Sequence, residues 1–256
     1  MATGKIASRQ QQHASFLHTL GALEEQLTPP IQAARNEFYK KCAKRYLEHR
    51  TINHADLMHK HQEQILLILN KYYKKCIIAM GTLAFGHVRH AAKEDEDSLF
   101  LDLADDWIQT QGLQRSTLIA DTAENDVMQA IQDGMDAGLS VEAVSSTIES
   151  LTELSNWQAN RVARTEMHAA ANYAQIESVR TAEQRLGLTM LKAWQPTIDS
   201  RTRDAHAEMD GTDAIAMDAL FIVDGEEMDS PGDPNGSPEN IINCRCCLVF
   251  EEGKDE

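Results

Sequence analysis

"TMLKAWQPTIDSRTRDAHAEMDG", Thr189 to Gly211, is where the chain stops reading as helix. "TMLKAWQPTI" has the short, proline-bounded, apolar form of a strand. "DSRTRDAHAEMDG" reads as a short polar helix ended by Gly211. Further on, "FIV" (221–223) and "CLVF" (247–250) read as short strands. Between them lies "DSPGDPNGSPENI" (229–241), dense in turn formers. A small α+β module of short strands therefore follows Gly187.

Everything before Gly187 carries helical periodicity. Phe16, Leu17, Leu20, Leu23 and Leu27 recur at helical spacing, and Thr28-Pro29-Pro30 is expected to end that helix and start another. No glycine or proline occurs from Ile31 to Met80, with a break expected near Asn53. Met58, Ile65, Leu69, Tyr72, Cys76 and Leu83 form a roughly heptad stripe, the mark of a helix laid against a partner helix. Thr122 is expected to cap a helix ending at Gly138, Ser140 a second, and Ser155 or Asn156 a third running to Gly187. The fold class expected is α+β, mostly α: a helical N-terminal body with a small C-terminal module of short strands. Low aromatic content (5%) and scarce glycine and proline agree with it.

Net charge is −16, unevenly spread: residues 1–93 sum to +8 and residues 94–256 to −24, with the switch at "KEDEDS", Lys93 to Ser98. Three regions follow: a basic helical region (1–93), an acidic linker with a short amphipathic segment (94–120), and a domain over 121–256 with helices to 187. No apolar run approaches the roughly 20 residues of a membrane-spanning helix, and "MATGKIASRQQQ" lacks the apolar core of a signal peptide. No membrane partner is expected, and five cysteines in such a chain read as thiols rather than a disulfide framework. The basic residues cluster at helical spacing, Lys40, Lys41, Lys44 and Arg45, then Lys71, Lys74 and Lys75, beside Phe38, Tyr39, Tyr72 and Tyr73. Such a surface suits DNA phosphates without base readout, or an acidic protein partner.

Arg161, Thr165, His168 and Asn172 form a polar stripe on an otherwise Ala-rich helix. It is either a site or a set of hydrogen-bonding groups for the module that follows. Asp199, Arg201, Arg203, Asp204, His206 and Asp210 crowd into 12 residues, either an anion or acid–base site or a network pinning a turn. No nucleophile stands beside a base, and no phosphate-cradling glycine loop or H-E-x-x-H occurs.

Five blocks, in order and at approximately matching spacing, give the sequence a resemblance: Arg164-Thr165-Glu166; Trp194 with Asp199-x-Arg201-x-Arg203-x-x-His206; Met209-Asp210-Gly211; Pro231-Gly232-Asp233-Pro234; and Asn243-Cys244-Arg245-Cys246. Together they resemble the phage Mu F-like head morphogenesis family, minor head proteins of tailed double-stranded DNA phages, over about residues 120–250. The resemblance implies a non-enzymatic role in head assembly, with portal, capsid or scaffold proteins as partners; the basic charge of residues 1–93 adds double-stranded DNA as a further candidate. The resemblance places the protein inside the head of the virion, and in the host cytoplasm during assembly.

"NCRCC", Asn243 to Cys247, holds three of the five cysteines. Cys244 and Cys246 match the family block and Cys247 departs from it. In a strand the first two share a face and Cys247 takes the other. With His206 they can supply three metal ligands, zinc being the candidate, although Cys-x-x-Cys is the commoner spacing. The competing reading packs small thiols beneath the "RTE" helix. No cofactor is expected, with zinc the one candidate. A metal-dependent hydrolase built on His206, Asp210, Cys244 and Cys246 is the enzymatic alternative, and a non-specific DNA-packaging or ejection protein is the other.

Overall fold

The structure, a computed structural model, describes residues 6–50, 53–88 and 96–253. The first residues of the acidic switch at 93–98 and of the N-terminal stretch lie outside them. Five helices come first: α1 (Arg9–His49), α2 (Ala55–His87), α3 (Glu96–Trp107), α4 (Leu113–Asp136) and α5 (Val141–Leu186), with a π-helical segment at Ile108–Gly112. Then come β1 (Met190–Gln195), α6 (Asp204–Ala207), β2 (Ile215–Ala216), β3 (Phe221–Val223), β4 (Glu226–Met228), α7 (Pro238–Ile241) and β5 (Cys247–Glu252). The mostly helical α+β class expected from the sequence is the one observed. Among the described residues no helix is long and apolar enough to cross a membrane.

Three expected helix boundaries are absent. Helix α1 runs straight through Pro29 and Pro30. A proline inside a helix costs about 3 kcal/mol or more, but Leu27 and Ile31, on either side, are fully buried, and each such side chain contributes about 1.5–3 kcal/mol. Burial outweighs the missing donors. Helix α5 likewise continues through Ser155, whose hydroxyl donates to Thr152 O (2.8 Å) and is used up inside the helix. Thr122 sits within α4 and donates to Leu118 O (2.8 Å). Two expected ends do form: Asn53 Oδ1 accepts the Ala55 amide (3.2 Å), and Ser140 Oγ accepts that of Ala143 (3.2 Å).

Two units interleave along the chain. The first holds the described residues of 1–23, 73–107 and 164–256. Its three-stranded antiparallel sheet has the order β2-β1-β5, with β1 paired to β5 from Met190↔Glu252 to Gln195↔Cys247. β3 and β4 form a hairpin turned by Asp224 and Gly225, both at positive φ, as a two-residue primed turn needs. The core packs Phe100, Ile176, Val179, Trp194, Phe221, Leu248 and Phe250 together. β5 is an edge strand, and α1 closes it: Gln12 accepts the Phe250 amide and donates to the Phe250 carbonyl, both at 2.9 Å. One amide side chain thus completes the ladder, which otherwise leaves buried polar groups unpaired.

The second unit holds the described residues of 24–72 and 108–163. Its core is Phe38, Tyr39, Cys42, Val127, Ile131, Val144 and Ile148. Buried Arg35 donates to Asp126 (3.0 Å) and Gln158 (2.9 Å), and Tyr39 donates to the same carboxylate (2.6 Å). His61 is 3% exposed and stacked on Phe38 at 4.7 Å, and neither ring nitrogen has a partner among the described residues.

Burial lowers the His61 pKa to about 4, with the Arg35 charge pushing the same way. The unfolded imidazole titrates near 6.5, so the neutral ring's stabilisation is complete above that value and is lost as pH falls toward 4. Between about pH 7.5 and about pH 5 this costs about 2 kcal/mol. Urea unfolding at the two pH values should show wild type losing about 2 kcal/mol more than His61→Leu. Equal losses would mean that His61 is not buried as a neutral ring.

Candidate functional site

Helix α5 carries the stripe that receives the end of the chain. Thr165 Oγ1 accepts the Asn243 amide (3.2 Å), His168 Nε2 meets Cys246 O (2.5 Å), and Asn172 Oδ1 accepts the Leu248 amide (3.1 Å). His168 and Asn172 are fully buried, and the stripe serves the following module, as one of its two sequence readings has it. Arg164 donates to Asn243 Oδ1 (3.3 Å), and Glu166 accepts Tyr73 OH (2.5 Å). Asn243 has φ 59°, a left-handed conformation that asparagine tolerates better than most residues. Arg161 instead lies over the Trp157 ring at 4.7 Å.

Asp199 forms a turn by accepting the Arg201 amide (2.8 Å), and Arg245 grips it with two nitrogens (2.5 and 2.6 Å). The Arg245 guanidinium holds the Asp199 carboxyl well below the ordinary carboxylate range. Arg203 donates to Ile242 O (2.7 Å), while Arg201 stays largely exposed, 3.6 Å from Asp199. Asp210 accepts from Gln195 (3.2 Å), and Gly211 has φ 70°. Trp194 is buried in β1 with His206 edge-on at 5.6 Å. Asp233 accepts the amides of Asp229 (2.7 Å) and Asn235 (2.8 Å). Pro231 and Gly232 are buried beside it.

His206, Cys244 and Cys246 come together. Their donor atoms lie within 4.8 Å of one another and all three residues are buried. His206 Nδ1 is 3.3 Å from Cys246 Sγ and 3.5 Å from Cys244 Sγ. Among the described residues no fourth carboxylate, imidazole or thiol joins them, and Asp210, the fourth residue of the hydrolase reading, is outside the group. Cys244 and Cys246 precede β5 rather than lie in it, because Asn243 turns the chain just before. Cys246 is the more acidic thiol, chiefly through hydrogen bonding from Cys244. Burial pushes Cys247 up and packs it as an apolar residue.

The basic clusters are less bare than their sequence suggests. Lys41 pairs with Glu37, Lys44 with Glu48, Arg45 with Asp56, and Lys74 with Asp105. Lys40, Lys71 and Lys75 are exposed, and Lys71 lies 5.9 Å from the Tyr72 ring centroid. Phe38, Tyr39 and Tyr73 are core residues rather than surface neighbours of the lysines. Sequence reasoning missed Gln12, as well as Lys192, which is fully buried in β1 and donates to Asp229 O (2.9 Å) and to the Asp229 carboxylate. Arg180 donates to that carboxylate too (2.9 Å). The only sequence trace of this network is a lone lysine in an apolar strand.

The family described as Phage Mu protein F like protein matches residues 125–249. Minor head protein GP7 of Bacillus phage SPP1 is 31% identical over 127 residues, 49% of this chain and 40% of that protein. NAD(+)--arginine ADP-ribosyltransferase EFV of Enterococcus faecalis is 31% identical over 129 residues, 50% of this chain but 26% of that protein. Uncharacterized protein YqbB of Bacillus subtilis is 25% identical over 146 residues, 56% of this chain and 46% of that protein. The chain thus spans less than half the length of each of these relatives. No solved structure matches it.

Gly232 has φ 78°, and a Cβ placed there would stand 2.8 Å from His168 Nδ1 and 3.2 Å from Ala169 Cα. Gly232→Ala should therefore cost about 2–4 kcal/mol, from backbone strain and from displacing the ring that holds Cys246 O. Asp233→Ala, which strands two amides, should cost about 2 kcal/mol. Urea unfolding midpoints measure both, and a Gly232→Ala midpoint equal to wild type would refute the close approach.

Proposed function

We propose, from the match of residues 125–249 to the family described as Phage Mu protein F like protein, that this protein is a phage minor head protein that works by assembly and not by catalysis. The observation that carries the proposal is the use made of the family-block residues. Thr165, Asp199, Arg203, Asp233 and Asn243 are each spent on backbone groups or on one another. The recess that Arg203 and Asn243 line holds about one water-sized group, too little for a substrate. The likeness to the minor head protein of phage SPP1 supports the same reading. The transferase relative does not redirect it, because the matched stretch is about a quarter of that protein.

The proposed partners are the portal and capsid or scaffold proteins, with the protein held inside the head. The charge contrast between residues 1–93 and 94–256 supports an oriented role, the basic part meeting an acidic partner surface. Packaged DNA is the other candidate for that part, and it would be bound without sequence preference.

Coexpression with the portal and major capsid proteins of its own phage tests the assembly role. The chain should sediment with assembled heads, well below the copy number of the capsid protein, and should be missing from heads built without portal. Its absence from heads in both cases would overturn the proposal. Titration of the full chain with duplex DNA at two salt concentrations separates the partners: binding that falls steeply with salt would assign the basic residues to DNA.

A further inference from the structure

We propose that His206, Cys244 and Cys246 bind one Zn²⁺ ion, with a water molecule in the fourth position. The inference is independent of the head-assembly role. Zinc binds sulfur at about 2.3 Å and imidazole nitrogen at about 2.0–2.1 Å, so a tetrahedral centre sets its nitrogen and sulfur ligands about 3.5 Å apart. The two separations here are 3.3 and 3.5 Å. The donors converge although they come from α6 and from irregular chain 38 and 40 residues further on. Two thiolates and an imidazole form a borderline-soft set that suits zinc and not magnesium or calcium.

The imidazole is held in the tautomer a metal needs. Asn240, 2% exposed, donates through Nδ2 to Val223 O (3.5 Å), and its side chain also bonds Glu226. This turns Asn240 Oδ1 toward His206 Nε2 (3.3 Å). Nε2 therefore carries the proton, and the lone pair of Nδ1 faces both sulfurs. A ligand histidine whose other nitrogen donates to a fixed oxygen is the usual outer-shell arrangement of a zinc site. Packing alone accounts less well for the trio. Two thiols and an imidazole converge in a core otherwise filled by Trp194, Phe221 and Phe250.

The fourth position has room as well. A recess lined by Thr202, Arg203, His206, Asn243, Arg245 and the two sulfurs holds about one water-sized group. It offers no carboxylate or second imidazole to act as a base. The ion would thus be a staple joining α6 to the 240–247 segment, and its coordination as a bis-thiolate releases the thiol protons.

Metal analysis and cobalt titration of the reduced full-length chain test the site. Purified protein should carry about one equivalent of zinc. After chelation, Co²⁺ should restore one equivalent with a thiolate-to-cobalt charge-transfer band in the near ultraviolet. Cys246→Ala should lose the band and Cys247→Ala should keep it. Asn240→Ala should keep the stoichiometry with affinity weakened by about 10-fold or more. If Cys246→Ala fails to fold, the wild-type titration beside Cys247→Ala still decides. The proposal is overturned if wild type with native circular dichroism shows no band, or if a folded Cys246→Ala protein keeps it. Unchanged affinity in Asn240→Ala would remove the orienting role of the amide and, with it, the argument from the tautomer.

Discussion

The chain from Asn243 into β5 carries amides and carbonyls that the sheet does not pair, and it finds partners for them on one face of α5. Thr165, His168 and Asn172 stand one turn apart, and they serve Asn243, Cys246 and Leu248 in turn. One helical turn rises about 5.4 Å and two extended residues advance about 6.6 Å, so successive stripe residues can reach successive groups of the passing strand. Each buried group left unpaired would cost about 1–3 kcal/mol, which is a large share of what holds a small module together. The small residues between the stripe members make the approach possible: Ala169, Ala170 and Ala171 are buried, and Gly232 lies against His168 and Ala169. Side-chain size and hydrogen bonding act at the same places, and neither would suffice alone.

The same need is met from the other end of the chain. β5 would be an edge strand with its outer groups buried, and Gln12 supplies both the missing donor and the missing acceptor. Arg9 adds an ion pair to Glu251 (2.5 Å) and a hydrogen bond to Thr212 O (3.1 Å). The unit that contains the five blocks is therefore not a contiguous segment: it needs residues more than 200 positions upstream. At β1, Lys192 and Arg180 converge on Asp229, so that a buried ammonium is paired and not left bare. That anchor fixes the start of the turn-rich loop, and Asp233 then folds the loop by binding amides on both sides of itself.

The parts visible in the sequence are those governed by local rules. The strand character of 190–195, the 229–241 turns and the helical stripes follow from residue preferences over a few positions. The helix boundaries at Pro29, Thr122 and Ser155 were misread because each carries a genuine local stop or cap signal that distant burial overrides. Leu27 and Ile31 decide the first, and within-helix bonds from the hydroxyls absorb the other two. Gln12 and the Lys192–Asp229 pair were out of reach for the opposite reason: nothing local marks them, since their partners lie 238 and 37 residues away. Of the candidate metal ligands, the residue types and approximate spacing were legible. The role of Asn240, which orients His206, was not, because a lone asparagine among turn formers looks like one more turn former.

Charge is the feature on which sequence and structure differ most in what they suggest. A sum of +8 over 93 residues looks like a phosphate-binding surface, yet Lys41, Lys44, Arg45 and Lys74 each have a carboxylate within reach. Exposed pairs of this kind are worth about 0–1 kcal/mol, too little to lock the side chains in place. They do spread the positive potential thinly and mix it with negative charge. Duplex DNA rewards an unbroken row of cations, because its affinity comes from releasing many counterions together. A protein surface with its own alternation of charge is matched better by a mixed one, since exchanging one weak ion pair for another costs little and fixes the register. On this argument the described N-terminal helices present a mixed surface and not an unbroken row of cations.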